Sequence, residues 1–389
     1  MLLFDATHTS HTSAQTGIQR VCRSLFEELR ARDEVTPFCY DPHLKGWRTL
    51  AADELAVLRD RSGGSGKSRG AKWTWSQRFS GKARRWLGAR PALPEASGVV
   101  FPEFFSAKAG ARLPEVLERV QGPRVALFYD AIPLKFPELT PPGTVARFPA
   151  YLRELLSFDG IAAISGDSAE SLRDYWKWLG VTQPPPVQAV PLGIDRPPLP
   201  AAENHAAETP RLLCVCTVEG RKNHLALLEA CEKLWQEGRR FELELIGMPR
   251  PDTAGAALSL IARLQQAGRP LGFKGSVPDA ELHAAYQQCA FTVYPSLIEG
   301  FGLPVLESLH HGRPCVCSGR GALGESALGG GCVALDSVDA LSLADAIRRL
   351  LLHPAEIAAL ASAARRRHLK DWSGYAAELT TWMQSLPRR

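Results

Sequence analysis

Arg196–Pro210 (RPPLPAAENHAAETP) carries four prolines and neither strand nor helix patterning. Proline lacks the N–H that a helix or a sheet ladder needs, so this stretch divides the chain into parts that must each build a core. The same rhythm runs on both sides of it. Before it, Leu2-Leu3-Phe4, Val99-Val100-Phe101, Val125–Phe128 and Gly160–Ile164 are short apolar runs, and Gly17–Arg30 and Ser168–Leu179 have helical spacing. After it, Arg211–Cys216, Phe241–Ile246, Leu271-Gly272-Phe273, Phe291–Tyr294 and Pro314–Cys317 read as strands. His224–Glu237, Gly255–Gly268, Asp279–Cys289, Pro304–His311 and Ala340–Leu351 read as the intervening helices. Short, uniformly apolar strands alternating with helices predict parallel sheets covered on both faces. The expected fold class is α/β, with two doubly wound domains facing each other across a cleft. Residues 1–195 form the first, 196–210 the linker and 211–372 the second. A helical stretch in 373–389 is expected to pack back onto the first domain.

A chain of 389 residues with 45% hydrophobic content can supply two cores. No apolar run approaches the roughly 18 residues that span a bilayer. The start, MLLFDATH, lacks the charged and apolar regions of a signal peptide, and nine cysteines suit a reducing compartment better than a disulfide framework. The expected location is cytoplasmic. Charge is spread unevenly. Residues 62–90 hold Lys67, Arg69, Lys72, Arg78, Lys82, Arg84, Arg85 and Arg90 with no acid, interleaved with Trp73, Trp75, Phe79 and Trp86. Such a segment suits the anionic face of a membrane; it also suits a solvated loop, since Ser62–Gly66 (SGGSG) opens it. No nucleic-acid-binding motif accompanies the charge.

The chemistry concentrates between Tyr294 and Gly312 (YPSLIEGFGLPVLESLHHG). A strand ends at Tyr294, and Gly300 and Gly302 bracket Phe301 in the loop. Pro304 and Gly312 stand where a helix begins and ends. The loop therefore presents a helix N-terminus, whose amides suit an anionic phosphate, and glycines permit close approach. Glu299 and Glu307 flank that terminus and can accept hydrogen bonds from hydroxyls. Arg221 and Lys222, after the first strand of the same domain, can offset the carboxylates. A nucleoside diphosphate joined to a sugar satisfies all of these groups.

These residues closely resemble the retaining family-four glycosyltransferases (glycosyltransferases group 1), which have the GT-B fold of two Rossmann-like domains. The likeness rests on Thr217–His224 (TVEGRKNH), Phe273–Val277 (FKGSV), Glu281–Tyr286 and Glu299–Glu307 (EGFGLPVLE). It is thinner in the first half, at Thr16–Arg20 (TGIQR), Asp130–Pro133 with Phe136-Pro137-Glu138, Ile164–Ser168 and Pro191–Asp195 (PLGID); residues 41–120 match nothing. The resemblance implies that Arg221 and Lys222 neutralise the departing diphosphate. It implies that Glu299 binds the donor sugar, Glu307 the ribose, and the Gly300, Phe301, Gly302 and Leu303 amides the phosphate and sugar. Val277 would lie beside the base, with Thr217 among the donor-binding residues. Gly17 would approach the diphosphate when the domains shut. Tyr129, followed by Asp130, stands where such enzymes often carry a histidine that touches the donor sugar. Cys216 or Thr217 stands where a second basic residue is common.

The resemblance further implies transfer with retention; with no clear nucleophilic carboxylate the expected course is front-face displacement, and the basic pair makes a metal or other cofactor unnecessary. The donor would be a nucleotide-diphosphate sugar, GDP-mannose first, then UDP- or dTDP-sugars. The acceptor would be a hydroxyl of a lipid-linked cell-surface glycan, and residues 67–90 would give a peripheral membrane contact. The alternative is an inactive nucleotide-sugar-binding regulator or scaffold. Cys214/Cys216 and Cys315/Cys317, near His310 and His311, raise a metal site that free cysteines more often do not form. His8 and His11 are expected to be solvated or to touch an acceptor.

Overall fold

The computed structural model describes residues 1–15, 17–61, 70–88, 93–197 and 209–387. Two units result, Met1–Gly193 with Trp372–Arg389, and Ile194–Asp371.

The first unit is a seven-stranded sheet in the order β3-β2-β1-β4-β5-β6-β7. Its strands are β1 (Leu2–Asp5), β2 (Val35–Asp41), β3 (Gly46–Thr49), β4 (Gly98–Phe101), β5 (Arg124–Phe128), β6 (Gly160–Ala163) and β7 (Val187–Ala189). All neighbours run parallel except β2 and β3, which form a hairpin. Every residue of β4 and β6 is buried, as expected of strands covered on both faces. Helix α1 (Gly17–Arg30) buries Val21, Leu25 and Leu29, one turn apart, against this sheet. The final helix, Trp372–Ser385, packs against α1. It crosses so close to β6 that a Cβ at Gly160 would stand 2.8 Å from Leu386 Cδ1 and 2.9 Å from Trp382 Cη2.

The stretch 41–120, which matched no family landmark, begins with a buried ionic knot. Arg48 binds Asp41 at 2.9 Å and Glu54 at 2.6 Å, and His11 Nε2 lies 2.9 Å from Glu54. This knot fastens the hairpin to α2 (Ala52–Arg59) and positions α3 (Trp75–Trp86). His11 is therefore not solvated. It is 5% exposed and stacks on Trp73 with ring centroids 3.7 Å apart. Of the basic segment read from the sequence, residues 62–69, 89 and 90 lie outside the described residues, as does Thr16.

The second unit is a six-stranded, wholly parallel sheet in the order β10-β9-β8-β11-β12-β13. The strands are β8 (Arg211–Val215), β9 (Glu242–Ile246), β10 (Leu271–Lys274), β11 (Phe291–Tyr294), β12 (Cys315–Ser318) and β13 (Cys332–Leu335). The unit begins before the expected linker, because Ile194 bridges Asp371 and is 1% exposed. Within that linker, 198–208 lie outside the described residues. A short turn beginning at Pro251 precedes the helix expected at Gly255–Gly268 and joins it across a kink at Ala254 (φ −126°). Among the described residues no helix is long and apolar enough to cross a membrane.

Candidate functional site

In the second sheet β8 is flanked by β9 on one side and β11 on the other. The chain thus leaves β8 and β11 in opposite directions, and a crevice opens beyond their carboxyl ends. The loop after β8 ends in a short turn, Gly220–Lys222. Asn223 follows in the left-handed conformation (φ 55°) and leads into the helix His224–Gln236. The loop after β11 leads into the helix Leu303–His310. The two loops are stitched by the Leu297 amide, which donates to the Arg221 carbonyl at 2.9 Å.

Arg221, Lys222 and Glu299 converge here. Arg221 Nη1 donates to Glu299 Oε2 at 2.6 Å, and Lys222 Nζ to Glu299 Oε1 at 2.5 Å. Tyr294 closes the group: its hydroxyl accepts from Lys222 and donates to Glu299 Oε1 at 3.1 Å, with Lys222 Nζ 4.8 Å from its ring centre. Glu219 holds Arg221 Nη2 at 2.8 Å. Glu299 and Lys222 side chains are each 9% exposed, so these charges interact in a weakly screened setting. Burial alone would raise the Glu299 carboxyl, but the Lys222 and Arg221 charges and hydrogen bonds bring it down to about 2. Burial opposes the Arg221 charge too, yet Glu299 and Glu219 push its proton affinity above the ordinary value.

Gly302 caps the helix Leu303–His310 at φ 115°, a conformation that side chains rarely adopt. A Cβ there would lie 3.0 Å from both Leu323 Cδ2 and Ser326 Oγ, and Ser326 Oγ donates to the Phe301 carbonyl at 2.7 Å. Phe301 and Leu303 pack on the cluster of Tyr294, Val305 and Leu323. The loop Gly300–Leu303 is thus pinned, with the helix N-terminus beside Glu299. Such a terminus is suited to an anion.

Residues 209–353 match the family model described as Glycosyl transferases group 1. The chain is 27% identical over 347 residues to the serotype-specific mannosyltransferase WbdA of Escherichia coli, covering 81% of this chain and 38% of WbdA. It is 38% identical over 135 residues to the O-antigen chain mannosyltransferase B of Escherichia coli, covering 33% of this chain and 34% of the relative. HepE of Anabaena, solved in complex with UDP and glucose, superposes over 99% of both chains with a TM-score of 0.68 at 16% identity, a likeness of fold. Residues 209–353 are thus similar to the group 1 glycosyltransferases, and the chain has the GT-B fold. It spans about 38% of the length of WbdA.

The other predicted site residues fall at identifiable places. Glu307, one turn into the helix, meets the Tyr286 hydroxyl at 3.4 Å, and Tyr286 stacks on His311 with centroids 4.7 Å apart. Val277 packs beside Leu213, Ile246 and Tyr286, next to the carboxyl end of β9. Thr217 lies two residues past β8, half-buried. In the first unit, Gly17 opens α1 and is exposed, and a Cβ there would meet nothing within 4 Å. Tyr129 donates its hydroxyl to the Pro102 carbonyl at 2.7 Å, and burial pushes its proton affinity well above the ordinary value. That phenol is committed to the fold. Asp130 Oδ1 accepts from the Ile132 amide at 3.0 Å.

The cysteine pairs separate from the histidines that the sequence set beside them. His310 Nε2 faces the Pro197 carbonyl at 3.1 Å, and His311 Nε2 faces His283 Nδ1 at 3.2 Å. Cys214 and Cys216 instead meet His224, whose Nε2 is 3.8 and 3.5 Å from their sulfurs. These donors lie close enough to share a cation. A metal-bound imidazole is ordinarily oriented by a partner on its other nitrogen, and His224 Nδ1 is buried without one, so we read a thiol–imidazole cluster packed behind Lys222.

Sequence reading missed Tyr294, Glu219 and Tyr286. Tyr294 was legible as the last residue of a strand pointing at the crevice, and Glu219 as an acid two residues from Arg221. Tyr286 carried no separate signal.

Proposed function

We propose that this chain is a retaining glycosyltransferase that moves a hexose, mannose first, from a nucleotide-diphosphate sugar to a hydroxyl of a growing lipid-linked cell-surface glycan. The observation that carries the reading is the convergence of Arg221 and Lys222 on Glu299 beside the helix N-terminus at Leu303. Two mannosyltransferases among the relatives support the sugar, and the UDP and glucose in HepE support a nucleotide-sugar donor.

In the proposed reaction the acceptor oxygen attacks the anomeric carbon on the face from which the diphosphate leaves. The bond between that carbon and the phosphate oxygen breaks, and the acceptor proton passes to the departing phosphate. Arg221 and Lys222 stabilise the charge that develops on the leaving group, and the helix amides add fixed dipoles. Glu299 holds both cations in place and accepts hydrogen bonds from donor-sugar hydroxyls. Glu307, steadied by Tyr286, takes the ribose, and Val277 lines the base. Two fixed cations can neutralise the diphosphate, so the proposed mechanism uses no metal. Asp130 and Gly17 act from the first unit, which supplies the acceptor-binding surface.

The test is transfer from GDP-mannose, UDP-sugars and dTDP-sugars to lipid-linked acceptor extracts, with melting temperatures measured alongside. A labelled glycolipid from one donor, with a rise in melting temperature for the matching nucleotide alone, supports the reading. Nucleotide binding with no glycosyl product from any donor would identify an inactive binding protein instead.

A further inference from the structure

Helix α3 is inverted relative to an ordinary surface helix. Its small and polar side faces the protein. A Cβ at Gly81 would stand 2.9 Å from His43 Cβ and 3.1 Å from the Leu44 amide nitrogen, so the helix backbone lies directly on the β2–β3 turn. Gln77 reaches Asp53 and Glu54 of α2 at 3.2 Å each. Thr74 and Gln77 form a reciprocal cap on the first turn, at 3.2 and 2.8 Å. Just upstream, Trp73 stacks on His11, and the Lys72 amide donates to the His11 carbonyl at 2.7 Å. The helix is therefore fixed to the ionic knot of the first unit.

The opposite side carries the aromatics. Trp75, Phe79 and Trp86 are 86%, 71% and 87% exposed. Their spacing puts them in one stripe with Lys82. Arg78 and Arg85 flank that stripe, and residues 70–88 contain no acid. A soluble surface seldom presents a contiguous row of large aromatics. Indole and phenyl rings favour the boundary between headgroups and acyl chains, and a basic rim favours anionic headgroups.

We infer that α3 docks this protein on an anionic lipid bilayer, with Trp75, Phe79 and Trp86 entering the headgroup boundary and Arg78, Lys82 and Arg85 meeting lipid phosphates. Trp73, grouped with these residues in the sequence, is the anchor that holds the helix rather than part of the docking face. The inference stands on α3 alone and is independent of the reaction proposed above.

The experiment is vesicle co-sedimentation of the full chain, read without any activity assay. Vesicles of equal parts phosphatidylglycerol and phosphatidylcholine are compared with phosphatidylcholine alone, at low and high salt. The chain is expected to pellet with the anionic vesicles and to be released by salt. Trp75→Ala/Phe79→Ala/Trp86→Ala and Lys82→Glu/Arg85→Glu should each weaken partitioning by about tenfold or more with an unchanged melting temperature. Equal binding by the aromatic triple variant, or no binding of the wild type to anionic vesicles, would overturn the inference. So would a wild-type dimer in gel filtration that the triple variant abolishes without any vesicle binding, since the face would then belong to a second copy.

Discussion

Lys222 and Glu299, 77 residues apart in the chain, meet at 2.5 Å across the ends of two adjacent parallel strands. Neither group is stable there without the other, because a buried charge that loses its partner keeps its desolvation cost. The pair ties together the carboxyl ends of β8 and β11 at their shared crevice.

This predicts a specific acid response. The Glu299 carboxyl is depressed in the folded state, from 4.5 to about 2. A depressed acid contributes stability that is present above its unfolded value and is lost as pH falls through the folded value. Melting curves of wild type and Glu299→Gln should therefore differ most above pH 4.5 and converge as pH falls towards about 2. A pH-independent difference would show that the pair carries no such linkage.

Asp5 predicts the opposite sign. It is 1% exposed, its Oδ2 has no hydrogen-bond partner, and burial together with the nearby Glu103 charge raises it from 3.8 to about 8. A raised acid contributes stability that is fully present below its unfolded value and is lost as pH rises through the folded value. Asp5→Asn keeps the Oδ1 acceptor used by Thr7 and removes the titration. Its melting temperature should exceed that of wild type by about 2–4 °C above pH 8, a gap that shrinks on acidification towards 3.8.

Two glycines separate packing from ligand approach. Gly302→Ala forces a side chain into φ 115° and against Leu323 and Ser326. It should cost about 1–3 kcal/mol of stability by chemical denaturation. Gly17→Ala meets no neighbour, so stability should hold while donor KM rises several-fold. Wild-type donor kinetics in Gly17→Ala would remove Gly17 from the donor site.

The cysteines offer a chemical probe. Of the nine, only Cys216 and Cys332 are not fully buried. Burial alone would raise the Cys216 thiol, but its hydrogen bond with Cys214 and the neighbouring His224 and Lys222 lower it well below the ordinary value. Mass spectrometry after brief iodoacetamide treatment should find label on these two first. Bound nucleotide should slow labelling at Cys216 and leave Cys332 unchanged.

Much of this architecture was legible in the chain. The second sheet was readable because its strands are short, apolar and evenly spaced, and β11 falls on the expected Phe291–Tyr294. Glu299, Arg221 and Lys222 were readable because the motif places them after adjacent strands. What was hidden depends on long-range pairing. The Arg48–Glu54–His11 knot joins residues whose charges look solvated when read singly, and it fastens the β2–β3 hairpin to α2. The position of Tyr129 in the chain likewise does not reveal that Pro102 takes its hydroxyl. The outward face of α3 was visible as composition, whereas its anchoring through Gly81 and Gln77 was not.

The central claim is that the Arg221–Lys222–Glu299 group stabilises the departing diphosphate. It is tested most directly by the rate of sugar transfer from the accepted donor in wild type and in Lys222→Ala, at saturating donor, with the folded fraction of each checked by melting. Lys222→Ala should lose roughly 10²–10³-fold in kcat, as for removal of one preorganised charge stabiliser. Wild-type kcat in a folded Lys222→Ala variant would contradict the claim.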